Sequence, residues 1–222
     1  MLERFLSATA DDSAEAIALR TLTLHMLEHL APKFFQAHGL ATIQRAALEK
    51  CASVECVFEP LDEDRLEAGI DAWYCRHLKG LAHRPPERER LRLALETFAA
   101  DDRVIYAWLL GQQAARCGLE VRVVETPRHV SPVHEAYWLT HLVLLESDYF
   151  ARPIQRDDWA DALQNLVPWL LEKPNADLAG EVAFCLRFLG RDAQVLHPTL
   201  SPVGPSVSAH QIATALLALS AE

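Results

Sequence analysis

Apolar residues recur at helical spacing along most of the chain. Leu66, Ile70 and Trp73, for example, lie four and three positions apart, which places them on one face of an α-helix. Asp, Asn and Ser before these runs, and Gly or Pro after them, mark where helices begin and end. The pattern predicts helices over about residues 14–37 (kinked or divided at Pro32), 41–51, 62–79, 87–99, from the Asp101-Asp102 cap to Gly118, about 132–149 and 157–171, from the Asn175 cap to Gly190, and about 207–221.

Two stretches depart from the helical period. Residues 119–124 alternate between apolar and polar positions, but a single strand has no partner, so we expect an extended connector there. Residues 197–205 hold three prolines, which predicts a loop. The remaining connections are short. We therefore expect an all-α single domain over residues 1–222, with about nine helices stacked as hairpins in a solenoid or a partial α/α ring.

The composition supports this fold class. Only 8 of the 222 residues are glycine, which is too few for the many turns of an all-β fold. Half of the residues are hydrophobic, so the chain can bury a core and is not expected to be disordered. Arginine outnumbers lysine 17 to 4, which is typical of a GC-rich bacterial genome.

The charge and the cysteines limit the partners and the compartment. The net charge of −10 argues against binding nucleic acid or an anionic membrane surface. No signal peptide is visible, and no apolar run reaches the roughly 18 residues of a membrane helix. Five scattered cysteines without a C-x-x-C pair indicate reduced thiols, so we expect a cytoplasmic protein.

Several well-known site motifs are missing from the sequence. It contains no glycine-rich dinucleotide or phosphate loop and no G-x-S-x-G elbow. The zinc-protease motif H-E-x-x-H begins at His134 but fails, because position 138 is Trp. Residues 157–161 match D-D-x-x-D, by which isoprenoid synthases bind magnesium diphosphate. Because Asp-Asp precedes a predicted helix three times in this chain, we interpret these acids as helix-capping residues.

The helix over residues 134–148 is apolar on almost every side, which is typical of a central helix. His134, Tyr137, Trp138, His141 and Asp148 share one stripe of it. One interpretation is a cavity wall in which His141 is a general base or metal ligand, Tyr137 a donor and Asp148 an orienting group. His134 lies roughly 10 Å from His141 along the axis, so a shared metal would need ligands from other helices. The alternative is a core histidine bonded to a backbone carbonyl and a tyrosine.

A histidine pair and a single glutamate are further candidates for chemistry. His25 and His29 are four residues apart, the spacing of two metal ligands on one helical turn, with Glu28 or His38 as possible third ligands. Glu181 projects from the apolar side of its helix, so its carboxylate needs a partner or an altered pKa. Such acids mark functional sites and structural ion pairs alike.

The C-terminal third resembles an uncharacterised bacterial α-helical family. The resemblance lies in Tyr137-x-x-Thr140-His141 followed by Asp148-Tyr149, and in Leu178-x-x-Glu181 followed by Leu189-Gly190. Longer members of that family look like α/α-ring proteins. The family tends to have Gly after the Asp-aromatic pair, where this chain has Phe150. The resemblance implies the architecture and draws attention to His141, Asp148 and Glu181, but it implies no reaction.

These observations lead to two functional hypotheses. The first is a protein with a central polar cavity that binds or transforms a small metabolite or peptide, in which Tyr137, His141, Asp148 and Glu181 carry the chemistry. A divalent metal on His141 and His134, or on His25 and His29, is a possible cofactor. The second is a non-catalytic helical scaffold that binds a protein partner through an acidic concave face.

Overall fold

The computed structural model describes residues 1–54, 63–82, 85–100, 104–120, 131–200 and 207–220. These residues form helices and no strand, which confirms the all-α prediction. None of these helices combines the length and the apolar character that are needed to cross a bilayer. The α-helices are α1 (Leu2–Ala8), α2 (Ala14–Leu30), α3 (Pro32–Ala37), α4 (Leu40–Cys51), α5 (Glu63–Leu78), α6 (Arg88–Ala100), α7 (Val104–Arg116), α8 (Pro132–Glu146), α9 (Asp157–Glu172), α10 (Ala176–Phe188) and α11 (Ala209–Ser220), with a 3-10 helix at Gln194–Leu200.

Local capping explains several of these bounds. The Ser131 hydroxyl accepts a hydrogen bond from the backbone N–H of His134 at the start of α8, where Pro132 takes the first helical position. Asn175 caps α10 in the same way, accepting from the N–H of Leu178 at 3.2 Å. Gly190, with φ of 76°, follows the end of α10 in the left-handed conformation that glycine adopts without strain.

Residues 14–37 form two helices divided at Pro32, which is one of the two predicted alternatives, because Pro32 lacks the N–H that would continue α2 and instead begins α3. Other predictions about the elements were wrong. The short helix α1 was not predicted. Residues 197–200, predicted as a loop, lie in the 3-10 helix, which buries Leu196 and Leu200. The predicted Asp101-Asp102 cap and most of the predicted connector at 119–124 fall outside the described residues.

The chain divides into two compact units, and one of the boundaries between them falls inside α2. The second unit comprises residues 11–22 and 41–128. Its described part has a core of apolar side chains from α5, α6 and α7, including Leu66, Ile70, Leu91 and Leu110. The prediction of a single domain stays a prediction.

The first unit comprises residues 1–10, 23–40 and 129–222, and α10 lies at its centre. This helix packs against α8, α9, α11 and the 3-10 helix, and its residues 178–186 are all buried. Because α10 is surrounded, any polar side chain it carries must find its partner on a neighbouring helix. This placement creates the polar cluster described below.

An unusual turn follows α8. Asp148, Tyr149 and Phe150 all have left-handed backbone conformations, with φ of 50°, 53° and 73°. This conformation costs about 1–2 kcal/mol for each residue that is not glycine. The turn is held by the Ser147 hydroxyl, which accepts from the N–H of Phe150 at 2.9 Å, and by packing of the Phe150 ring against Phe184. The buried contacts therefore offset the backbone strain.

Candidate functional site

Six polar side chains meet where α8, α10 and α11 pack together. Helical spacing explains how each helix contributes a pair, because residues three or four positions apart lie on the same face. We call this group the Asp177 cluster, and it consists of Tyr137 and Thr140 on α8, Asp177 and Glu181 on α10, and His210 and Thr214 on α11.

Asp177 is the most heavily bonded member of the Asp177 cluster. Its Oδ1 accepts from Nδ1 of His210 at 2.7 Å and from the Thr214 hydroxyl at 3.3 Å, and its Oδ2 accepts from the Tyr137 hydroxyl at 3.4 Å. Burial raises the pKa of Asp177, but the bond and charge of His210 and the two hydroxyls outweigh burial and hold this pKa below its ordinary value. The carboxylate is therefore charged at neutral pH.

Glu181 lies deeper in the protein, with only 3% of the residue exposed. Its Oε2 accepts a hydrogen bond of 2.7 Å from the Thr140 hydroxyl on α8. Thr140 thus supplies the partner that the sequence analysis required but did not identify. The charge of Glu181 also acts on its neighbour Cys185: burial, and then this charge, raise the pKa of the Cys185 thiol well above its ordinary value.

Gly180 allows α11 to approach α10 closely. A Cβ atom at this position would lie 2.8 Å from both Cβ and Oγ1 of Thr214, which is closer than real Cβ contacts allow. The absence of a side chain at position 180 thus lets Thr214 and His210 reach Asp177. A glycine in the interior of a helix costs about 1 kcal/mol relative to alanine, and here this close packing accounts for it.

The Asp177 cluster has two chemical capabilities. One nitrogen of His210 and one oxygen each of Asp177 and Glu181 lie within 4.8 Å of one another, so these residues could hold a metal ion. In the structure, however, Nδ1 of His210 donates a hydrogen bond to Oδ1 of Asp177, and a metal bound at this nitrogen would have to replace that proton. The observed arrangement is a histidine oriented by a largely buried carboxylate, which suits acid–base chemistry.

A second group of potential ligands lies on α2, and we call it the α2 triad. It consists of His25, Glu28 and His29, whose ligand atoms lie within 4.8 Å of one another. His25 is buried, and its Nε2 donates to the backbone carbonyl of Asp148 at 3.2 Å. His29 is exposed, and its ring meets the ring of His25 edge-on at 4.8 Å between centroids.

Three other predicted site residues, His134, His141 and Asp148, are not members of the Asp177 cluster and have local hydrogen-bond partners. Nδ1 of His141 donates to the backbone carbonyl of Tyr137 at 2.5 Å, a bond of the kind expected for a core histidine. The Asp148 carboxylate pairs with Arg152 at 2.7 Å, and the backbone N–H of His134 is used in the α8 cap. Among the described residues, two groups bring three potential metal ligands within 4.8 Å, and neither includes His134 or His141.

The D-D-x-x-D segment is bonded to arginines. Arg191 donates to Asp157 at 3.0 Å and to Asp161 at 3.1 Å, while Arg156 donates to Asp158 at 2.8 Å. Asp157 and Asp158 occupy the first turn of α9, where negative charge meets the positive end of the helix dipole. Neither aspartate is the N-cap residue, which is Arg156.

Sequence reasoning missed Asp177, His210 and Thr214. Asp177 is an acid in the first turn of a helix, a position where aspartate is common for helix stability alone. His210 is 33 residues away from its partner, and nothing in its local pattern distinguishes it from a surface residue. A useful signal was the glycine inside α10, because an interior helical glycine often marks close packing.

Comparisons with protein-family models, curated proteins and solved structures gave no match.

Proposed function

We propose that this protein binds a small metabolite or peptide at the Asp177 cluster, and that His210 exchanges a proton with the bound molecule. The observation that carries this proposal is the 2.7 Å hydrogen bond between Nδ1 of His210 and Oδ1 of Asp177. The carboxylate in this pair is largely buried and anchored by two further hydroxyls, whereas 52% of the His210 side chain is exposed.

The bond to Asp177 sets the chemistry of the imidazole. When Nδ1–H donates to the carboxylate, the neutral ring carries its lone pair on Nε2, which becomes the nitrogen that takes up or releases a proton. The nearby negative charge of Asp177 stabilises the imidazolium that forms. Because the His210 side chain is half exposed, a molecule from solvent can approach the ring.

The charges of the Asp177 cluster favour one class of ligand. Asp177 and Glu181 place two carboxylates beside the hydroxyls of Tyr137 and Thr140, a set of groups that suits a protonated amine with hydrogen-bonding neighbours. The net charge of −10 raises the local concentration of cations further. We therefore propose an amine-bearing metabolite, or a peptide with a free amino terminus, as the ligand.

A ligand screen with matched variants tests this proposal. Primary amines, amino acids and short peptides are compared with their N-acetylated forms by ligand-observed NMR and calorimetry. We expect an amine to bind the native protein, its acetylated form to bind at least about tenfold more weakly, and Asp177→Asn to lose that binding because a charge-assisted bond is removed. Asp157→Asn is the control, because Asp157 is an exposed aspartate that also accepts a hydrogen bond from a basic side chain.

Two results would contradict the proposal. One is that no free amine binds the native protein in preference to its acetylated form. The other is that Asp177→Asn and Asp157→Asn bind the amine equally well, since the binding would then come from the overall negative charge of the surface.

A further inference from the structure

We infer that the α2 triad of His25, Glu28 and His29 is a binding site for a divalent transition metal. This site is independent of the Asp177 cluster and of the function proposed for it. It rests on the spacing of the three side chains, on the buried anchor of His25 and on the chemistry of the ligand set.

The spacing of the three side chains suits a metal ion. Positions 25, 28 and 29 lie on one face of α2, and the three ligand atoms are within 4.8 Å of one another. Two ligands of a tetrahedral Zn²⁺ at bond lengths of about 2.0–2.1 Å lie roughly 3.3 Å apart. The gap to close is about 1.5 Å or less, a distance within the range of small side-chain rotations.

The His25 ring is held in a fixed orientation. Only 3% of this residue is exposed, and its Nε2 donates to the backbone carbonyl of Asp148. A carbonyl can only accept, so this bond places the proton on Nε2 and leaves the lone pair of the neutral ring on Nδ1. Metal-binding histidines are commonly held in this way, with one ring nitrogen bonded to a carbonyl and the other directed at the metal.

The partner carbonyl is itself firmly placed. Asp148 is the first residue of the left-handed turn after α8, with φ of 50°, and its carboxylate is paired with Arg152 at 2.7 Å. Strained backbone of this kind persists where the surrounding contacts fix it, and it is concentrated at functional sites. The turn thus fixes the orientation of the His25 ring, beside which Glu28 and His29 place their ligand atoms.

The ligand set identifies the class of metal. Two imidazoles and one carboxylate suit Zn²⁺, Co²⁺, Ni²⁺ or Fe²⁺, whereas Mg²⁺ and Ca²⁺ prefer oxygen ligands. Three protein ligands leave at least one coordination position for water or a second molecule. The triad therefore has the ligand number of a reactive metal site, since structural zinc sites use four protein ligands.

The test is metal binding by the full-length protein after removal of bound metal with a chelator. Zn²⁺ binding is measured by calorimetry, and Co²⁺ binding by its visible absorption, which reports the nitrogen and oxygen ligands. We expect one tight equivalent in the native protein. His29→Ala should weaken Zn²⁺ binding by more than about 100-fold, because losing a ligand costs more than the 10–100-fold cost of losing an outer-shell partner.

Three further variants test whether the Zn²⁺ ion binds at the α2 triad and not elsewhere. Glu28→Gln should also weaken binding, and it changes a half-buried side chain with little risk to the fold. The structure does not include His38, the other third ligand suggested by the sequence, in the α2 triad. His38→Ala is the matched control, because His38 is an exposed histidine that follows α3 as its C-cap residue, and its Nδ1 is bonded to the carbonyl of Phe34. His210→Ala removes a possible ligand of the Asp177 cluster.

The outcomes separate clearly. Loss of binding in His29→Ala and Glu28→Gln, with native affinity in His38→Ala and His210→Ala, supports the proposal. Three results overturn it: no tight Zn²⁺ equivalent in the native protein, native affinity in His29→Ala, or loss of binding only in His210→Ala, which would place the metal at the Asp177 cluster.

Discussion

The hydrogen bond from Thr140 to Glu181 should contribute strongly to the free energy of unfolding of the first unit. Thr140 is fully buried and Glu181 is 3% exposed, so water cannot replace this bond if it is lost. The change Thr140→Val keeps the shape of the side chain and replaces the hydroxyl by a methyl group. It therefore leaves a buried carboxylate without the 2.7 Å donor that the structure provides.

The size of the expected destabilisation depends on which acceptor the Thr140 hydroxyl bonds to. The Thr140 hydroxyl lies 2.7 Å from Glu181 and 3.0 Å from the backbone carbonyl of Tyr137, and it has one hydrogen to give. The shorter contact is to the charged group, and hydrogen bonds to charged groups contribute about 1.5–3 kcal/mol, compared with about 1 kcal/mol for neutral pairs. Because valine leaves no cavity, we expect Thr140→Val to lower the free energy of unfolding by about 2–3 kcal/mol.

A matched control isolates the effect of the charge. Thr21 is also buried in a helix, and its hydroxyl donates to the carbonyl of Ile17 at 2.7 Å and contacts Cys51, both neutral groups. Thr21→Val should cost about 1 kcal/mol. A double-mutant cycle of Thr140→Val with Glu181→Gln should then show a coupling of at least about 1 kcal/mol, because the two side chains are in contact.

The assay is urea denaturation at neutral pH, followed by circular dichroism, with slopes compared between variants to detect changes in the unfolded state. Two results would contradict the predicted contribution of this hydrogen bond. One is that Thr140→Val lowers the free energy of unfolding no more than Thr21→Val does. The other is that Thr140→Val lowers it by the same amount in the Glu181→Gln background.

Three further predictions concern the same region. Gly180→Ala should lower stability to urea by about 1–2 kcal/mol, because overpacking against Thr214 outweighs the roughly 1 kcal/mol gain in helix propensity; a more stable variant would contradict the close contact. The pKa of Asp177 is lower in the folded state, so its stabilisation is complete above its unfolded pKa of about 4 and is lost as the pH falls through the folded value. Asp177→Asn should therefore destabilise the protein most at neutral pH and least in acid, and an equal loss at all pH values in a urea series would exclude this linkage. Burial, and then the charge of Glu181, raise the pKa of Cys185, so a thiol reagent should label the partly exposed Cys117 well before Cys185, as read by peptide mass spectrometry; equal rates would show that Cys185 is accessible.

The features of the fold that could be predicted from the sequence depend on interactions between residues close together in the chain. Caps, helical periods and breakers act over one helical turn, so the all-α class and the start of α10 at the Asn175 cap could be predicted from neighbouring residues. The predictions that failed depend on burial. The 3-10 helix at Gln194–Leu200 contains Pro198, which reads locally as a loop residue, yet Leu196 and Leu200 bury themselves against the rest of the first unit.

The candidate sites also combine features that neighbouring residues determine with features that tertiary packing determines. The spacing of His25 and His29, and the position of Glu181 on an apolar face, are properties of a single helix, and the sequence was sufficient to select these residues. The partner of Glu181 is 41 residues away on α8, and His210 meets Asp177 across 33 residues. No local pattern specifies which turns of two helices come into contact.

Packing between helices decided the rest. The close approach at Gly180 brings His210 to Asp177, and the left-handed turn at Asp148 brings a carbonyl to His25. Both contacts depend on how whole helices fit together, because side chains far apart in sequence meet only where apolar surfaces bury one another. The sequence by itself determines the residue types and the helical faces on which they lie. Their assembly into the Asp177 cluster and the contact between His25 and Asp148 result from tertiary packing.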